Sequence, residues 1–125
     1  MEKLFENLWI LTETGITLFS SKSKKMDEDQ AFGMIMSALN SYAEMFSKEG
    51  ISNLELSNIR FNFLKRNDIL FIATTSEKAK AKKVMRELEI ISKKFFQYYP
   101  KDLLDDWKGD VSIFSNFRKE IFASL

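Results

Sequence analysis

The side chains able to do covalent or acid–base chemistry in this chain are few. It has no cysteine and no histidine. That excludes disulfides, thiolate metal sites, cysteine nucleophiles, the usual catalytic triads and a general base titrating near neutrality. Carboxylates, lysines, hydroxyls and tyrosines remain. The acids are densest at Asp102, Asp105, Asp106 and Asp110, with a second group at Asp27, Glu28 and Asp29. Both groups fall where a helix is expected to begin. Negative charge is favoured there by the helix dipole, so these acids read as helix-start signals rather than catalytic pairs or metal ligands. There is no glycine-rich phosphate loop, no metal-ligand spacing and no internal repeat. The expectation is a protein without catalytic residues, metal or cofactor.

The cations are arranged less evenly than the acids. Residues 77–101 carry eight basic and three acidic side chains, a net of +5, whereas residues 1–76 and 102–125 are each −2. The whole chain is only +1, which gives no global bias toward nucleic acid, and no nucleic-acid partner is expected. Lys78, Lys80, Lys82 and Lys83 stand at the beginning of an expected helix, where positive charge opposes the dipole; helix stability does not account for them. Lys82, Lys83, Arg86, Lys93 and Lys94, with the apolar Ile90 among them, form a candidate anionic-surface-binding face for lipid headgroups or an acidic protein. A solubilising lysine face would use the same residues.

These residues must be held by a scaffold, and the stretch from Leu54 to Tyr99 is its centre. Ile59-Arg60-Phe61-Asn62-Phe63-Leu64 alternates, sending Ile59, Phe61 and Phe63 to one sheet face. Ile69-Leu70-Phe71-Ile72-Ala73 is apolar throughout, as an interior strand should be, and the two read as an antiparallel hairpin. Thr74 to Glu77 offers hydroxyls to cap a following helix. In that helix Ala81, Val84, Leu88, Ile91, Phe95 and Tyr99 form an inward stripe, with Met85 and Phe96 at its side. Pro100 ends it. Leu103, Leu104, Trp107, Val111, Phe114, Phe117 and Ile121 mark a last helical region that Gly109 can interrupt.

Upstream, Leu8–Leu11 and Ile16–Phe19 read as a hairpin around Thr12-Glu13-Thr14-Gly15, and the lysine-bearing 20–25 segment as an exposed connection. Asp27 with Gln30 suits a capped helix start. Phe32, Ile35, Met36, Leu39, Tyr42, Ala43 and Phe46 then define a stripe expected to face the sheet; each large member contributes about 1.5–3 kcal/mol on burial, before entropy is subtracted. Ala31, Met34, Ala38 and Met45 form a neighbouring apolar arc, and Gly33, Ser37, Asn40, Ser41 and Glu44 the polar side. The apolar arc is wider than one sheet contact needs. It either packs elsewhere in the same domain or receives a partner through adaptable methionines. Gly50 is expected to end this helix, with Asn53–Leu56 as the next strand and Ser57-Asn58 as a break or bulge.

Taken together, Leu8 to Phe19, Asn53 to Ser76 and Ala79 to Tyr99 resemble the longin domain family, and the likeness spans nearly the whole chain as one domain, residues 1–125. It implies an α+β, longin/profilin-like fold: a five-stranded antiparallel sheet with one long helix and two C-terminal helices, order ββαβββαα. It also implies a non-enzymatic, cytoplasmic interaction module of membrane trafficking or small-GTPase regulation. The partner would be a small GTPase, a coat or tether subunit or a peptide, and a homo- or heterodimer is part of that expectation. The implied docking surface is the first long helix with the adjacent strand, here Met34, Ala38 and Met45 beside Leu54 and Leu56, where a partner could add backbone to the sheet edge. Unlike longin SNAREs, the sequence shows no heptad-bearing segment and no lipid-anchor cysteine, which favours the adaptor or GTPase-regulatory members. Peripheral membrane contact through residues 82–94 is the alternative function. The acidic start of the chain resembles no signal peptide, and no run of residues is long and apolar enough to span a bilayer.

Overall fold

A computed structural model describes residues 4–21 and 26–119, with the side chains of residues 26 and 27 left aside. Lys22, Lys24, Lys25 and Ile121, and the side chain of Asp27, therefore lie outside the described residues. The elements run β1 (Asn7–Thr12), β2 (Thr17–Ser20), α1 (Met26–Glu44), β3 (Asn53–Leu56), β4 (Ile59–Arg66), β5 (Ile69–Ser76), α2 (Ala81–Tyr98), α3 (Lys101–Asp105) and a closing 3₁₀ helix, Val111–Lys119. The five strands form one sheet in the order β2-β1-β5-β4-β3, antiparallel at every pairing. This is the expected α+β architecture.

Local chemistry sets the turns. Ser57 has φ +53°, and Asn67 and Asp68 have φ +50° and +64°. Both hairpins therefore close through two residues, Ser57-Asn58 and Asn67-Asp68, and the small or short polar side chains there tolerate the left-handed region. Ser57-Asn58 is thus a reversal of the chain rather than a bulge.

The central strand β5 is buried from Ile69 to Thr75, and its alternate side chains feed two cores. On one face, Phe71 and Ala73 join Leu8, Ile10 and Leu64 beneath Val84, Leu88, Ile91, Phe95 and Tyr99 of α2, with Phe114 and Phe117 of the 3₁₀ helix completing the cluster. Phe95 lies at the centre: its ring packs edge-on against Phe71 at 5.6 Å and Phe117 at 5.5 Å, and stacks on Phe114 at 5.9 Å. The expected inward stripe of α2 holds except at Ala81, the first residue of the helix, which is exposed. The hydroxyls expected to cap α2 do not do so. Thr74 and Thr75 belong to β5, Lys80 is the N-cap residue without a side-chain bond, and Arg60 pins the approach by donating to the carbonyls of Glu77 and Ala79. The last helical region comes in two pieces, separated by Gly109 at φ +96°.

The other face carries a smaller cluster: Trp9, Leu11, Met36, Phe63, Leu70 and Ile72, with Phe32, Ile51, Leu54 and Phe61 against it. Here the expected orientation of α1 is overturned. Of its predicted stripe only Phe32, Met36 and Ala43 turn inward; Ile35 is 59% exposed, Tyr42 62% and Phe46 77%, and Leu39 is exposed as well. The buried face of α1 is instead Gly33, Met36, Ser37 and Asn40, drawn mostly from the side that periodicity assigns to water. Each polar member has a specific partner. Ser37 donates to the Glu13 carbonyl, Asn40 Oδ1 accepts from the Ile51 N–H at 2.9 Å, and Glu44 meets Lys65. Hydrogen bonds to loop backbone, which leave no trace in an apolar pattern, set the rotation of this helix.

Gly33 makes that rotation sterically feasible. A Cβ on it would lie 2.5 Å from Thr17 Oγ1 and 2.6 Å from the Gly15 carbonyl, so α1 can approach the first hairpin only without a side chain there. At the start of α1 the Gln30 amide is engaged by Thr17 of β2, and the Asp27 side chain of the expected cap lies outside the described residues. At its other end an expectation fails: the helix stops at Glu44, so Gly50, at φ +72°, closes a later turn.

Candidate functional site

The rotation of α1 leaves an apolar surface. Met34 is 64% exposed and Met45 77%; together with Ile35, Leu39, Tyr42 and Phe46 they face outward, and Ala38 is exposed among them. The Tyr42 and Phe46 rings pack edge to face at 5.3 Å and both remain largely exposed. At 100° per residue the surface divides into two flanks. Phe32 stacks on Trp9 at 4.3 Å and lies tilted against Phe61 at 6.1 Å, so the flank carrying Ile35 and Leu39 looks toward β4 and β3. Met34 lies on the opposite flank, above Gly15. The helix rests on β1 and β2, leaving the β3–β4 half of this face thinly covered. Leu54 is half-buried in the cluster there, while Leu56 and its cross-strand neighbour Ile59 are exposed. Met34, Ala38, Met45, Leu54 and Leu56 therefore share one side of the sheet but not one spot. Periodicity assigns Ile35, Leu39, Tyr42 and Phe46 to the core, whereas the structure leaves all four exposed.

The strand at that edge is open. Phe63 N–H donates to the Ser52 carbonyl, and Leu54 lies opposite Phe61. Alternation along an antiparallel pair then turns the N–H and C=O of Asn53 and Glu55 away from β4. Among the described residues no strand lies beyond them.

The opposite edge, β2, is closed by side chains. Thr17 N–H donates to Gln30 Oε1 at 2.9 Å, and Gln30 Nε2 donates to the Thr17 carbonyl at 3.0 Å, so one amide takes the place of a neighbouring peptide group. Arg118 donates to the carbonyls of Ser20 at 3.3 Å and Ser21 at 2.9 Å. The 390 Å³ groove there is lined by Thr17, Ser20, Asp29, Gln30, Ser112 and Arg118; three of these side chains, Thr17, Gln30 and Arg118, are themselves tied to backbone.

Charged groups near α1 are structural. Lys65 Nζ lies 3.0 Å from Glu44 Oε2 and 3.7 Å from Glu13 Oε2; the hydrogen bond to Glu44 raises the lysine pKa, with the negative charges nearby adding to it. The acids of the C-terminal region do not converge. Asp102 lies in the first turn of α3, while Asp110 accepts from Ser112 N–H at 3.0 Å and its hydroxyl at 2.6 Å, which lowers its pKa. Among the described residues no three acidic side chains are placed to hold a metal ion, and no helix is long and apolar enough to cross a membrane. Lys82, Lys83, Arg86, Ile90, Lys93 and Lys94 are all exposed on α2, across the sheet from α1.

No protein-family model matches the chain, and no curated protein matches its sequence. Solved structures do. A Roadblock/LC7 domain from Streptomyces avermitilis superposes with a TM-score of 0.62 at 14% identity, over 76% of this chain and 85% of that one. Myxococcus xanthus MglB superposes with a TM-score of 0.55 at 8% identity, over 74% of this chain and 84% of that one. At such identities the likeness is one of fold, and the fold is roadblock/longin-like.

Proposed function

We propose that this chain is a non-enzymatic interaction module that docks a second domain of its own shape through α1 and the β3 edge, and that the pair serves to regulate a small GTPase. The observation that carries this reading is the coincidence, on one side of the sheet, of an exposed apolar helix face and an open strand edge. An antiparallel edge pairs with a copy of itself about a twofold axis normal to the sheet, which would bring both α1 helices to the same face. Burial of Ile35, Leu39, Tyr42 and Phe46 would then supply the apolar contact that the isolated domain lacks. The roadblock/longin-like fold supports a binding role, and the longin resemblance supplies the small GTPase as the class of client.

Sedimentation equilibrium tests the pairing. The wild type is expected to associate as concentration rises, Tyr42→Glu to remain monomeric with an unchanged circular dichroism spectrum, and Met34→Glu, on the other flank, to weaken association less. A wild type that stays monomeric and captures no domain of similar fold, or a Tyr42→Glu variant that associates normally, contradicts the proposal.

A further inference from the structure

The outer side of α2 lies apart from the two core clusters and from the proposed docking surface. Its inner side is committed to the core through Val84, Leu88, Ile91 and Phe95. At 100° per residue, Lys82, Lys93, Arg86, Ile90, Lys83 and Lys94 follow one another across an arc of about 120°, and all six are exposed. The acids of this helix lie at the rims of that arc: Glu89 pairs with Arg66 of β4 on one side, and Glu87 stands on the other. We infer that this face binds an anionic lipid surface.

Three observations favour a lipid surface over an acidic peptide. The cations run along roughly 18 Å of helix from Lys82 to Lys94, at 1.5 Å per residue, which suits an array of headgroups better than one bound phosphate. None of the five cations lines the cavities beside α1, β2 or the C-terminal region, where a peptide could be enclosed. Ile90, 41% exposed, sits within the arc, where an apolar side chain can enter the headgroup boundary while the lysines stay in water. Lys82 and Lys83 also occupy the first turn of α2, where the dipole disfavours them. Binding an anion would offset that local cost. The face lies across the sheet from α1, so the inference stands independently of the proposed pairing.

Cosedimentation with vesicles of phosphatidylcholine, with and without phosphatidylserine, tests it. Binding is expected only when phosphatidylserine is present, and should fall by about tenfold or more between low and physiological ionic strength. The triple variant Lys82→Glu, Lys83→Glu, Lys93→Glu changes only exposed positions and should keep the wild-type circular dichroism spectrum while losing about a hundredfold in partitioning. Ile90→Ser should weaken binding several-fold without changing the salt dependence. Equal binding to neutral vesicles, no binding at low salt, or unchanged partitioning of the triple variant overturns the inference. So does binding of polyglutamate with vesicles ignored, which would assign the face to an acidic protein.

Discussion

The two sides of this sheet are finished in opposite ways. On the α2 side the helix turns its apolar stripe inward, and Phe95 meets Phe71, Phe114 and Phe117 in a sealed aromatic cluster. On the α1 side the helix turns Gly33, Ser37 and Asn40 inward with Met36, and holds Met34, Ile35, Leu39 and Tyr42 in water. The edges repeat the contrast. β2, beside the start of α1, is stapled by Gln30 and Arg118, while among the described residues no strand lies beyond β3. A bare edge invites unintended pairing, and sheets commonly protect such edges. This one protects the first and leaves the second open beside an apolar surface. One half of the molecule is sealed; the other keeps an exposed apolar helix face and an unpaired strand edge, which the proposed pairing would cover.

That contrast can be broken most severely from its sealed side. Phe95→Ala removes the ring shared by five aromatic neighbours and should cost about 3–5 kcal/mol, measured as a lowered midpoint of urea unfolding. A smaller loss is expected at the contact that sets the helix rotation. Gly33→Ala forces α1 away from Thr17 and the Gly15 carbonyl and should lower stability by about 1–3 kcal/mol, despite alanine's better helix propensity. Were Gly33→Ala stabilising, the tight approach of α1 would be wrong. Gln30→Ala sharpens the comparison of edges. It should cost only about 1 kcal/mol, yet light scattering should show new association at high concentration, because Thr17 N–H and C=O become available.

The sealed side was legible in the sequence because it follows the rule on which periodicity rests, one apolar stripe per helix against one apolar strand face. Val84, Leu88, Ile91 and Phe95 form a single stripe with charges opposite, and Ile69 to Ala73 is apolar without interruption. Helix α1 offers two apolar arcs, and burial pattern alone favours the larger as the core. The deciding interactions are individual bonds, Gln30 to Thr17, Ser37 to Glu13 and Asn40 to Ile51, between positions 11 to 24 residues apart. No local pattern announces them. A glycine in mid-helix, Gly33, was the available signal, since its cost to helix stability calls for a close contact in return. Leu54 and Leu56 could be placed at an edge from strand order, whereas their distance from Met34 depends on how α1 is turned.

Backbone hydrogen exchange followed across a range of protein concentrations tests the central claim most directly. As concentration rises, the amides of Asn53 and Glu55 should gain protection while that of Thr17 in β2 stays unchanged, because Thr17 is already capped by Gln30 and, among the described residues, no strand lies beyond β3. Rapid exchange of Asn53 and Glu55 at every concentration, or concentration-dependent protection appearing at β2 instead, would show that α1 and β3 do not form the docking face.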